Sequence, residues 1–188
     1  MKGWPRLPLP ERMSPPQAAI HDSSIARFGG PYGPRLPLVL APELHGPWVD
    51  MAGRLTAGEL PVRLRELAIL VTARFWGADF IWYAHEDPAL AAGLTTRTLD
   101  LIREGAPVDG TDAERAVAAV VTELLSRHRV EDHTHARIVE LIGARCLVEL
   151  TVLVSHYTGV AFLLAVHAAP LPGDAGRPLS TPTEQEGP

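Results

Sequence analysis

The 188 residues suffice for one domain with a sizeable core, and 46% hydrophobic against 21% charged residues excludes a disordered chain. A formal net charge of −5 with scattered arginines leaves no footprint for a nucleic-acid backbone. The single cysteine, Cys146, forbids an internal disulfide or dithiol couple, and Lys2, the sole lysine, stands near the chain start, a poor place for Schiff-base chemistry.

Ten of the eighteen prolines fall between Pro5 and Pro47. Proline removes backbone donors, so residues 1–37 are expected to form a proline-rich N-terminal arm, extended apart from a short helix near Pro16 to Ala26, that crosses onto a neighbouring subunit. The opening Met1-Lys2-Gly3-Trp4-Pro5 has no apolar stretch of a secretory signal, and the cytoplasm is the expected compartment. A helical domain is expected over 38–169, and residues 170–188, rich in Pro, Gly, Ser, Thr and Glu, are expected to be a disordered tail.

Within the domain the apolar period is helical, and the expected fold class is all-α, with six to seven helices. Leu60, Leu64, Leu67, Val71 and Phe75 keep one face, and Val62, Ile69, Leu70 and Ala73 fill the opposite one, which predicts a central helix over 61–76. Thr95 is placed to cap a short helix that Gly105 ends. Thr111-Asp112-Ala113-Glu114 reads as a capping box that opens another. Asp132 is positioned to cap the next, Gly143 to break or bend it, and Leu147, Leu150, Val154, Tyr157, Ala161, Leu164 and Ala168 continue at heptad spacing. The apolar run from Leu150 to Val166 is at the short end for a membrane span and lacks basic flanks, so a buried core helix is expected and a membrane partner is not.

Two polar residues break the apolar pattern. Glu66 lies among Val62, Ile69 and Leu70, where a lone carboxylate is costly unless paired or protonated. It is either a site residue or a structural ion pair with Arg63, Arg65 or Arg74. His85 shares a helical face with Ala78, Ile81 and Trp82 and is either a general acid-base group or a core histidine bonded to a carbonyl. His128, His133 and His135 cluster near an exposed helix start, a weak metal signature, and a Glu66, His85, His156 ligand set has no supporting spacing, so no metal is expected.

The segment Pro61-Val-Arg-Leu-Arg-Glu66-Leu-Ala-Ile-Leu-Val, then Ile81-Trp82-Tyr-Ala-His85, then Ala91-Ala-Gly93-Leu94-Thr95 resembles the core repeat of the carboxymuconolactone decarboxylase and AhpD alkylhydroperoxidase superfamily, over roughly residues 38–168 and including Ser155-His156-Tyr157. In the peroxidase branch the histidine ends a C-x-x-C-x-x-x-H motif whose cysteine positions fall here on Ala78 and Ile81. Thiol peroxidase activity is therefore not expected, because the thiolate that attacks peroxide and its resolving partner are missing. What the resemblance implies instead is a cofactor-independent acid-base lyase (decarboxylase) or isomerase acting on a small carboxylated or lactone-like substrate. In that reading His85 moves the proton, Glu66 orients the imidazole, Trp82 and Tyr83 shape the pocket, Arg74 holds a substrate carboxylate and His156 is a further binding candidate. The resemblance also implies a homotrimer or hexamer. The alternative is a non-catalytic oligomeric binding or scaffold protein whose aromatic segment at Phe80 to Tyr83 plugs a vestigial pocket.

Overall fold

The computed structural model describes residue 4, residues 6–173, residue 176 and residues 178–179. Lys2 and most of the expected disordered tail lie outside the described residues. Among the described residues there are seven α-helices and no strand: α1 Pro15–Phe28, α2 His45–Thr56, α3 Val62–Trp76, α4 Asp79–Ala91, α5 Thr96–Glu104, α6 Asp112–Arg127 and α7 Asp132–Val166. Two 3-10 turns, Leu36–Leu40 and Pro42–Leu44, join α1 to α2.

The two apolar faces of α3 make it the central helix. It packs against α4, α5, α6 and α7, and Leu67, Ala68, Leu70 and Ala73 are fully buried. A leucine buried to this degree contributes about 1.5–3 kcal/mol, so α3 is the best-anchored element from which to project a polar side chain. Pro61 stands at the N-cap of α3, and the helix begins at Val62, one position after the expected start, because the Pro61 backbone is extended rather than helical. Gly77, at φ 59°, ends the helix in the left-handed conformation, with its N–H and that of Ala78 closing onto the carbonyls of the last turn. The reversal leaves only Gly77 and Ala78 between α3 and α4, which folds α4 back along α3.

Both expected helix starts flanking α5 and α6 are present. Thr95 Oγ1 accepts from Thr98 N–H at 3.0 Å, and Glu114 Oε2 accepts from Thr111 N–H at 2.6 Å. The cap of α7 falls on Glu131 rather than Asp132; Glu123 of α6 accepts from the Glu131 N–H at 3.0 Å and so takes over the capping role. Gly143, at φ 81° and ψ 157°, interrupts α7. The helix stops at Val166, so Ala168 lies past its end rather than completing the heptad run. No helix among the described residues is long and apolar enough to cross a membrane.

The N-terminal segment contains more helix than the proline content suggests, since α1 runs through the whole of Pro15–Phe28. It packs on its own chain: Trp4, Leu7 and Ile20 join the same hydrophobic core as α3, and the Trp4 indole N–H donates to the Pro31 carbonyl at 2.8 Å. Prolines at the start of a helix and in turns cost it nothing, because the donors they lack would be unpaired there anyway.

Candidate active site

Glu66 is 5% exposed on α3, and His85 reaches it from α4, with Nδ1 2.7 Å from Glu66 Oε2. An ionised carboxylate only accepts, so Nδ1 carries the proton and the neutral ring presents a bare Nε2. That nitrogen meets the hydroxyl of Tyr157, from α7, at 3.1 Å, with the two rings edge to face. Burial first, and the charge of Glu66 second, push the Tyr157 phenol far above its ordinary value. Tyr157 therefore stays protonated and donates to Nε2 when the imidazole is neutral. Three side chains from three helices form one line of hydrogen bonds, Tyr157 to His85 to Glu66.

Burying a carboxylate without a counter-charge is destabilising by several kcal/mol, on the order of 3–5 kcal/mol when a partner is removed. Arg65 supplies that charge, with Nε 3.5 Å from Glu66 Oε1, while its Nη1 donates to the Thr56 carbonyl at 2.9 Å. Of the three arginines considered as partners, the other two are engaged elsewhere: Arg63 pairs with Glu114, and Arg74 Nε donates to the Arg103 carbonyl at 2.6 Å. Glu66 thus has both an ion pair and a bond to His85, and its two oxygens divide the tasks.

The Glu66 and His85 pair opens onto a cavity of about 1020 Å³, whose walls include Trp48, Tyr83, His156 and Tyr157. Tyr83, 45% exposed, stands on this wall. His156 is also there, tilted against Trp48 with ring centroids 4.8 Å apart and edge to face with Tyr157 at 5.6 Å, and burial pulls its imidazole below the ordinary value, which favours the neutral ring.

Two expected pocket residues lie elsewhere. Trp82 is fully buried and does not line the cavity; its indole N–H donates to Glu86 at 3.0 Å, and the Arg103 guanidinium covers its ring at 4.8 Å. Arg74 is drawn away from the cavity by the Arg103 carbonyl, in the last turn of α5, where helix carbonyls lack intrahelical donors and carry negative dipole charge. The arginines that do line the cavity are Arg27, Arg35 and Arg65.

Tyr157 was missed as a site residue because its heptad position beside Val154 and Ala161 reads as core; the signal available was the polar run Ser155-His156-Tyr157 inside an apolar helix. Arg27 and Arg35 lie in a stretch whose prolines suggest no packed structure, so nothing local pointed to a wall of a cavity.

At the positions of the absent thiols, Ala78 and Ile81 are buried core side chains. Cys146 has its thiol pushed up by burial and by Glu149 and Glu59, which disfavours the thiolate nucleophile. Among the described residues no group of three or more His, Cys, Asp or Glu is arranged to hold a metal ion.

The family model for the carboxymuconolactone decarboxylase family matches residues 42–123, a shorter span than the roughly 38–168 read from motifs. No curated protein matches the chain. The matched span runs from the second 3-10 turn into α6 and holds Glu66, His85 and the hairpin between them. Over residues 42–123, around its helical core, the chain is similar to the carboxymuconolactone decarboxylase family, and with Cys146 as its only thiol it lacks a redox cysteine pair.

Proposed function

We propose that the chain is a cofactor-independent acid-base lyase, a decarboxylase, or an isomerase acting on a small carboxylated or lactone-like substrate. The observation that carries this reading is the Tyr157, His85, Glu66 line opening onto a cavity rather than being sealed by aromatic side chains, the arrangement the scaffold alternative requires. The acid-base pair and the cavity are the two things such chemistry needs when the substrate's own carbonyl accepts the electrons.

In decarboxylation the bond between the carboxylate and its carbon breaks, carbon dioxide leaves, and the electron pair passes into the substrate's conjugated carbonyl as a dienolate. His85, charged at Nε2, then delivers a proton to the remote carbon, and Glu66 stabilises the imidazolium beforehand through Nδ1. Tyr157, held against Nε2, returns a proton from solvent to the ring after transfer. An isomerase would use the same groups, removing a proton at one carbon and returning it at another without loss of carbon dioxide.

A panel of carboxylated lactones and vinylogous keto acids, incubated in deuterium oxide, tests this by carbon dioxide release and by deuterium on product carbon. Turnover of at least one member with carbon-bound deuterium is expected, and His85→Ala should lose nearly all of it, a loss of about 10²–10⁴-fold for a general acid-base group. No turnover across the panel, or turnover that His85→Ala leaves intact, would leave the scaffold reading ahead.

The same reading includes self-association as a trimer or hexamer. Support comes from the exposed apolar side chains Phe75, Trp76, Phe162 and Val166, more than a lone soluble chain of this size needs to present. Light scattering should return a multiple of 20.3 kDa at micromolar concentration, and a monomer would contradict it.

A further inference from the structure

Arg27 and Arg35 line the same cavity as His85 and Tyr157. Arg27 is in the last turn of α1 and Arg35 immediately precedes the first 3-10 turn, so both come from the segment before residue 42, where the family match begins. The third arginine of the cavity, Arg65, is already engaged by Glu66 and the Thr56 carbonyl. Among the described residues neither Arg27 nor Arg35 has a carboxylate within the 4.0 Å of an ion pair, and neither guanidinium donates a side-chain hydrogen bond. The contact that Arg27 makes is with the face of Phe28, at 5.5 Å.

Arg27, exposed, and Arg35, half-buried, place two positive charges on this wall, and their repulsion has consequences at Arg35. Burial first, and the Arg27 charge second, pull its guanidinium below the ordinary value. An anion seated between them would relieve the repulsion and gain charge-assisted hydrogen bonds from both forks. Arg27, Arg35 and Arg65 against Glu66 and Asp87 leave an excess of 3 − 2 = +1 before any charge on His85, which suits a carboxylate, the anionic group of the proposed substrate class.

We propose that Arg27 and Arg35 form a carboxylate clamp, supplied by the N-terminal segment, that holds the substrate by an anionic group while its reacting carbon lies against His85. The clamp rests on the acid-base reading above for its purpose but not for its measurement. The full chain is titrated by calorimetry with benzoate, with its neutral isostere benzamide and with inorganic phosphate. Benzoate should bind saturably in the millimolar range and benzamide should not. Arg27→Gln and Arg35→Gln should each weaken benzoate binding about tenfold, as loss of one charge-assisted fork predicts. Arg129→Gln, a control on a 72% exposed arginine paired to Glu131, should leave it unchanged. His85→Ala should retain benzoate binding, so a failed clamp and a failed catalytic reading give different results. Circular dichroism checks the fold of each variant; if Arg35→Gln unfolds, Arg27→Gln on the exposed end of α1 carries the comparison. Benzamide binding as well as benzoate, or benzoate affinity unchanged in the folded arginine variants, would overturn the clamp. Phosphate binding more tightly than benzoate through these arginines would overturn its assignment to carboxylates.

Discussion

The span 42–123 and the segments on either side of it contribute unlike groups to one cavity. From the matched span come Glu66 and His85, set on two helices joined by Gly77 and Ala78 and held by the best-buried helix of the chain. From outside it come Arg27 and Arg35 before, and Tyr157 and His156 after. The family match therefore covers the acid-base pair together with walls such as Trp48, Tyr83 and Asp87, whereas Arg27, Arg35, His156 and Tyr157 lie where the match does not reach. A rigid hairpin suits the pair, because proton transfer tolerates little misplacement.

The sharpest way to break this division is at the pair itself. Once a substrate is turned over, Glu66→Gln should reduce kcat by on the order of 10²-fold, and the double variant with His85→Ala should be little worse than His85→Ala alone, because groups acting as a unit are not additive. Independent losses that multiply would separate Glu66 from the chemistry and leave it as the counter-charge of Arg65. A smaller effect is expected from the flank. Tyr157→Phe keeps the ring and removes the hydroxyl at Nε2; it should lower kcat about tenfold with little change in KM, as expected for a group that assists proton return rather than binding. A change in KM alone would make Tyr157 a wall of the cavity and no more.

How far the sequence reveals this molecule differs between the same two regions. α3, α5 and α6 announce themselves through period and caps, because their apolar faces and capping residues are local signals. Glu66 and His85 are legible for a related reason: each breaks an apolar helical face, and their separation of 19 positions places them on adjacent helices of a tight hairpin. Trp82 and Arg74 are the instructive failures. Each lies near the pair along the chain, but side-chain direction is decided by competing partners, Glu86 and the Arg103 guanidinium for Trp82 and the Arg103 carbonyl for Arg74, which spacing does not disclose. Tyr157 is 72 positions from His85, and its contact depends on how α7 crosses the hairpin. Long-range packing of that kind leaves no periodic trace.

The central claim is that Glu66 and His85 form one unit, with Glu66 holding the imidazole so that Nε2 is the working nitrogen. Long-range proton-nitrogen NMR correlation of the His85 ring, at a pH where the ring is neutral, tests it without any substrate. The geometry predicts the proton on Nδ1 and a bare Nε2 accepting from Tyr157, with Tyr157→Phe leaving the proton on Nδ1. A neutral ring in the unaltered protein that carries its proton on Nε2 would contradict the account, since Glu66 would then have no donor to hold.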